Sequence, residues 1–218
     1  MEPARWPQVW RDGRELYTRN LVPGSKVYGE ALRLADGVEY RTWDPWRSKL
    51  AALLIQGPPG DLFGTPSSVL YLGASHGTTA SHLSDLWPSA SIYAVEKAPS
   101  SFAHLLALAR QRSNLLPLLV DAQLPERYRA DVGTVDLLYQ DVAQRDQVRI
   151  FRENAEVMLR RGGRGLLMLK VRSVTQRKPV GAIVRESRLA LQRAGLSVVG
   201  EWPLGPFSKE HVALAVQR

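Results

Sequence analysis

The 218-residue chain contains no cysteine. Disulfides, thiolate–zinc sites and cysteine nucleophiles are therefore excluded. No apolar run reaches the length of a membrane span. The opening MEPARWPQVWRDGRE lacks the apolar core of a secretory signal, so a soluble cytoplasmic protein is expected, with no membrane partner. There is no internal repeat or low-complexity segment, and no His/Asp/Glu cluster has metal spacing. The apolar share is nevertheless 44%, enough for a large core, and the charged share of 23% is ordinary for a globular domain. The length fits one domain plus a small appendage. Charge is biased: 29 Lys+Arg against 21 Asp+Glu give +8, with 23 Arg to 6 Lys. Such a surplus attracts polyanions, and arginine suits phosphate forks. It also serves as a solubilising surface.

Residues 1–43 differ from the rest. Candidate strands Glu15–Thr18, Lys26–Tyr28 and Val38–Arg41 are broken by Gly13, Pro23-Gly24 and Asp36-Gly37, a pattern of hairpins in a small antiparallel lobe. A helix is expected next, with Asp44 as N-cap, Pro45 at N1, Gly57 as terminator and Trp46, Leu50, Leu53 and Leu54 as its apolar stripe. The lobe and linking helix occupy 1–56, and the main domain 57–218. From Ser67 onward, strands and helices alternate. The expected strands are Val69–Leu72, Ile92–Val95, Leu115–Val120, Val135–Tyr139 and Gly165–Leu169, then Leu196–Glu201 and Val212–Val216 as a closing antiparallel hairpin. The helix after the second strand carries Phe102, Leu105, Leu106 and Ala109 inward. Short apolar strands alternating with helices make an α/β fold, a parallel sheet covered on both faces.

Ligands of such sheets bind beyond the carboxyl ends of the strands. The first strand is followed by Gly73-Ala74-Ser75-His76-Gly77-Thr78-Thr79, the second by Glu96, the third by Asp121, the fourth by Asp141-Val142-Ala143-Gln144 and the fifth by Lys170. His211 opens the last antiparallel strand and so belongs on the same edge. The glycine spacing is G-x-x-x-G, so the pyrophosphate fingerprint G-x-G-x-x-G is absent, and no lysine follows Gly77 as a Walker loop requires. Glu96 stands where an acid binds a ribose diol. The combination fits a nucleoside bound without a pyrophosphate, as in S-adenosylmethionine. A tight turn beside a solvated Glu is the plainer reading.

Tyr71-Leu-Gly-Ala-Ser-His-Gly-Thr-Thr-Ala-Ser-His82, Tyr93-Ala-Val-Glu96, Asp121-Ala122, Asp141-Val-Ala-Gln144 and Trp43-Asp-Pro-Trp-Arg-Ser-Lys-Leu50 resemble the fibrillarin family, in its archaeal form, over about residues 25–218. The resemblance implies a class I S-adenosylmethionine-dependent methyltransferase fold, Rossmann-like, with a seven-stranded, mostly parallel sheet and an antiparallel last strand behind a small N-terminal β lobe. It implies ribose 2'-O-methylation of rRNA and tRNA within a box C/D guide ribonucleoprotein. The partners would be the guide RNA, its target RNA, a scaffold protein and, through it, a kink-turn-binding protein. Cofactor contacts are implied at Gly73, Ala74, Thr78, Thr79, Glu96, Lys97, Asp121, Ala122, Asp141, Val142, Ala143 and Gln144. A catalytic set is implied of Lys49, Asp141, Lys170 and His211, with no metal. The chain departs from the family pattern at Ser75 and His76. It also departs at Lys97, where an aromatic residue is usual, and at Glu210, where Asp is usual.

A ribose hydroxyl attacking a sulfonium methyl must lose its proton. A lysine working as base near pH 7 must be lowered from about 10.4, a change of about 4 kcal/mol. Repulsion from Lys49 and partial desolvation act in that direction on Lys170, while Asp141 opposes it and orients the amine. Lys49 would hold the ribose or a phosphate. In-line alignment supplies at best about 7–11 kcal/mol of the acceleration. Plainer readings stand beside each: a snorkelling surface lysine at 49, a strand-end cation at 170, an N-cap at Asp141 and a structural hydrogen-bonder at His211. His76 and His82 read as surface or helix-end residues, and Trp6, Trp10 and Trp46 as lobe core. The segment Arg172–Lys178 is a candidate phosphate contact. The sequence holds no RNP or KH module, so weak, salt-sensitive RNA binding is expected of the chain alone. The competing functions are a non-catalytic RNA-binding subunit and a nicotinamide-dependent oxidoreductase; the missing dinucleotide fingerprint counts against the latter.

Overall fold

Short strands separated by glycine turns build the first part of a computed structural model that describes residues 1–218. β1 (Glu2–Pro3), β2 (Val9–Asp12), β3 (Glu15–Arg19), β4 (Leu32–Ala35) and β5 (Val38–Thr42) form an antiparallel sheet in the order β1-β2-β3-β5-β4. Asp36 and Gly37 both take positive φ, 51° and 75°, as the two-residue turn between β4 and β5 requires. The expected strand Lys26–Tyr28 does not form. The Val27 and Tyr28 N–H groups donate to the Glu30 carboxylate at 3.0 and 2.8 Å, which removes them from any ladder. β4 takes that place in the sheet.

The linking helix α1 (Lys49–Ile55) starts later than the sequence signals predict. Asp44 caps a separate turn: its carboxylate accepts from Trp46 N–H at 2.8 Å, and its carbonyl from Arg47 and Ser48. Ser48 is the N-cap, its hydroxyl accepting from Ala51 N–H and bonding Thr79 at 3.0 Å. Trp46 therefore lies outside the helix stripe and outside the lobe core. It is 65% exposed and meets Phe207 edge-on at 5.1 Å. Leu50, Leu53 and Leu54 are buried as expected, and Gly57 follows the last turn at φ 74°.

The main sheet holds β6 (Ser68–Leu72), β7 (Ser91–Glu96), β8 (Leu115–Leu119), β9 (Val135–Gln140), β10 (Leu159–Lys170), β11 (Ser197–Pro203) and β12 (His211–Gln217) in the order β11-β12-β10-β9-β6-β7-β8. β12 alone runs against the others. The helices are α2 (Thr78–Leu86), α3 (Pro99–Ala109), the one-turn α4 (Arg129–Val132), α5 (Gln147–Met158), the one-turn α6 (Val171–Val174) and α7 (Val180–Arg193). Successive strand residues point to opposite faces. Val69 and Tyr71 accordingly join a core with α1, α2 and α3, while Leu70 and Leu72 join a second core with α5 and α7. The first core also takes in Trp6, Val9, Leu16 and Trp43, so it runs on into the lobe. In α3 only Leu105 is fully buried. Leu106, expected inward, is 42% exposed because the helix covers the edge of the sheet with a narrow stripe.

A buried polar cluster bolts the lobe to α2. Arg41 on β5 donates to Asp85 at 2.7 Å, to Glu30 at 2.7 Å and to Ser81 at 2.9 Å, all fully buried side chains. Arg112 reaches the other Asp85 oxygen at 2.6 Å. His82, expected at the surface, is completely buried. It stacks on Trp43 at 4.9 Å, and its ring nitrogens lie 2.8 Å from the Thr18 and Tyr28 hydroxyls. Burial, reinforced by the Arg41 and Arg112 charges, holds its pKa well below the usual imidazole value. No helix of the chain is long and apolar enough to cross a membrane.

Candidate active site

The carboxyl ends of β6, β7, β9 and β10 meet at one rim, and β12, running the other way, starts there. β6 hands over to the glycine loop at Gly73, whose N–H and that of Ala74 both donate to the Val95 carbonyl. Gly73 sits at φ 84°, and a Cβ there would stand 2.5 Å from the Asp141 carbonyl oxygen. Only glycine lets the loop lie against the Asp141 backbone, which places the two strand ends side by side.

Glu96 ends β7. Its two oxygens accept from Ser75 N–H at 2.9 Å and Ala98 N–H at 2.7 Å, so the carboxylate is fixed against the loop. Beside it is a hollow of about 310 Å³ lined by Gly73, Glu96, Lys97, Ala122, Asp141, Val142, Ala143 and Gln144, with Val95 and Val120 as apolar walls. A second hollow of about 860 Å³ carries Gly73, Ala74, Thr78, Thr79, Lys49 and Asp141. Gly73 and Asp141 line both, so the two form one continuous groove. Asp121 stands outside it, in the neighbouring depression. One of its oxygens accepts from Gln123 N–H, and the other lies 3.8 Å from Lys97 Nζ. The Thr79 hydroxyl is engaged by Ser48. The anchored acid, apolar walls and glycine floor are of a kind that fits an adenosyl group.

Four titratable residues lie at this rim: Lys49 and Asp141 line the second hollow, whereas Lys170 and His211, at the ends of β10 and β12, line neither. Lys49 Nζ donates to Asp141 Oδ2 at 2.8 Å. Lys170 and His211 are direct cross-strand partners at the ends of β10 and β12. Both lysine charges bear on Asp141 and on His211. Burial raises the Asp141 pKa, against the pull of Lys49 and then Lys170. Burial also pushes His211 down to about 4, with the two lysines adding to it. The imidazole is therefore neutral at pH 7, its Nδ1 3.0 Å from the Ser208 hydroxyl. With Lys49 committed to Asp141, Lys170 Nζ has neither a hydrogen-bond nor an ion-pair partner. Asp141 is not a helix cap, since α5 begins six residues later.

Comparison with known proteins places this arrangement. The model of the Fibrillarin family matches residues 6–218. The chain belongs to the fibrillarin family. The match starts well before residue 25 and so takes in the β2–β3 hairpin of the lobe. The Methanothermobacter thermautotrophicus protein named fibrillarin-like rRNA/tRNA 2'-O-methyltransferase is 44% identical over 203 residues, covering 93% of this chain and 91% of that one. Aeropyrum pernix fibrillarin, solved with natively bound S-adenosyl-L-methionine, superposes with a TM-score of 0.89 at 40% identity, over 99% of this chain and 96% of that one. The fibrillarin in a fibrillarin/Nop5p complex superposes at 0.86 and 36% identity over the whole of both chains.

Within this fibrillarin-family site one residue escaped the sequence reading. Gln147, the first residue of α5, is completely buried and bonds the main chain of Lys170 through both ends of its amide. The signal was there: Gln147, Ile150, Phe151 and Asn154 share one helical stripe, and a glutamine on an inward face needs partners. His76 is exposed, tilted against His104 at 4.8 Å.

Proposed function

We infer that this chain is an S-adenosylmethionine-dependent methyltransferase of ribose 2'-hydroxyls in rRNA and tRNA, acting as the catalytic subunit of a box C/D guide ribonucleoprotein. Beyond family membership, one observation carries the reading. At the rim, next to the adenosyl-shaped groove, one lysine is held by a carboxylate and a second has no partner. A scaffold protein of the Nop5p kind is its protein partner. The guide RNA and target RNA, and a kink-turn-binding protein reached through the scaffold, complete the assembly we propose. We place its work in the cytoplasm, where such an assembly meets its RNA.

When bound, the cofactor supplies a methyl group on a positively charged sulfur. Glu96 orients the sugar of the adenosyl group, and the glycine loop leaves room for it. Ala74, Thr78, Thr79 and the Asp141–Gln144 run line the rest of the groove. Lys97 and Asp121 close its outer side as a loose pair. Asp141 holds Lys49 as a cation facing the groove, where it pairs with a ribose or phosphate oxygen of the RNA. In its unprotonated form, as the free amine, Lys170 takes the proton from the 2'-hydroxyl as the oxygen attacks. His211, uncharged, adds no positive charge to the site and accepts or donates one hydrogen bond beside Lys170. Holding the hydroxyl in line with the carbon–sulfur bond contributes the larger part of the acceleration.

The test is Lys170→Ala. Calorimetry should find S-adenosylmethionine binding unchanged, while transfer of a labelled methyl to guided RNA falls by about 100-fold or more. Wild-type turnover at saturating cofactor would remove Lys170 from the mechanism.

A further inference from the structure

We propose that Gln147 is a positioning residue for Lys170, an inference that rests on the reading of Lys170 as the proton acceptor. β10 outruns its neighbour: the last residue of β9, Gln140, pairs with Leu167, three residues short of Lys170. At Lys170 the chain leaves the sheet and enters the one-turn α6. A strand end of this kind has main-chain groups facing a side where no strand remains. Gln147 fills that place. Its Oε1 accepts from Lys170 N–H at 2.8 Å, and its Nε2 donates to the Lys170 carbonyl at 3.0 Å. A side-chain amide thus bonds both main-chain groups of one residue, as the partner in a hydrogen-bonded antiparallel pair does.

The brace is itself held. Gln140 Nε2 donates to the Gln147 carbonyl at 2.7 Å, and both glutamines are fully buried. Gln140 directly precedes Asp141, so the chain of amides links the residue that carries the carboxylate to the one that carries the free amine. On the other side, Val171 N–H donates to the Glu210 carbonyl, next to His211. Lys170 is therefore fixed by its backbone from both flanks, while its ammonium group has no partner. Backbone anchorage leaves the amine free for substrate; a side-chain partner would occupy it. The charged and titratable groups around that amine are Lys49 from α1, Asp141 from the end of β9 and His211 from β12, with the Arg172–Glu210 pair at 4.0 Å just beyond. Gln147 adds no charge to this set.

Gln147→Met keeps the length of the side chain and removes both bonds. In the full guide assembly it should lower kcat by about 100-fold, the penalty of a misplaced group, with the Kd for S-adenosylmethionine and the KM for RNA within about twofold of wild type. In a Lys170→Ala background the same substitution should cause no further loss, because Gln147 acts through Lys170 alone. A kcat within about twofold of wild type, or a loss that multiplies with that of Lys170→Ala, would overturn the proposal. If Gln147→Met does not fold, Gln147→Asn is read the same way: it is uncharged and one carbon shorter, so its amide falls short of the Lys170 main chain. Wild-type turnover in Lys170→Ala would instead overturn the assignment of Lys170. That result is distinct from a silent Gln147→Met beside an inactive Lys170→Ala.

Discussion

His211 illustrates how a residue can sit beside two lysines and a carboxylate without carrying charge. Burial and two neighbouring lysines push it down to about 4, whereas the unfolded chain titrates it near its ordinary 6.5. Between those values the unfolded state binds more protons, so the contribution of His211 to stability is complete above pH 6.5 and is lost as pH falls towards 4. Asp141 works in the opposite sense: its raised pKa favours the folded state in acid, and that contribution fades as pH rises through the folded value. His211→Gln should therefore show a flatter dependence of unfolding free energy on pH between 6.5 and 4 than wild type, measured by urea titration at several pH values. Equal slopes would mean that His211 is solvated and titrates normally.

Two tryptophans three residues apart separate what an element's pattern reveals from what its packing decides. Trp43 is completely buried and stacked on His82, whereas Trp46 rides an exposed turn against Phe207. Trp43→Ala should cost about 3–5 kcal/mol and Trp46→Ala less than about 1 kcal/mol, read from denaturant midpoints. The sequence signals put Trp46 in the helix because Asp44 and Ser48 are both good N-caps, and only tertiary contact chooses between them; the bond from Ser48 to Thr79 does so. The strands of the main sheet were legible where each is a short apolar run bounded by turn residues; β10 starts six residues before the expected Gly165, because its first half, Leu159–Arg164, is mostly arginine and glycine. The lobe was less so: Lys26–Tyr28 has strand-forming residues but spends its N–H groups on Glu30. At the rim, chain order alone put Asp141, Lys170 and His211 on one edge of the sheet; grouping them with Lys49 came from the resemblance to the family. Gln147 stayed hidden because its partners are main-chain atoms, which no residue type announces.

At the scale of the whole molecule, the lobe and the sheet are one folding unit tied by Asp85. Its carboxylate receives Arg41 from β5, Arg112 from the segment between α3 and β8, the Thr18 hydroxyl and Leu21 N–H. Asp85→Ala strands two buried guanidinium groups and should cost about 3–5 kcal/mol. Faster amide exchange in β3 and β5 should accompany the lower melting temperature; unchanged exchange there would show that the lobe holds without the bolt. The direction of β12 has a consequence of another kind. Because this strand runs backwards between β10 and β11, its first residue rather than its last reaches the rim. It is also made after both β10 and β11. Until residues 211–218 have left the ribosome, β10 and β11 lack the neighbour that joins them, and Lys170 lacks its opposite number. A nascent chain can thus complete the glycine loop and Glu96 long before it can set His211 beside Lys170. This corner of the rim waits for the strand that runs against the rest.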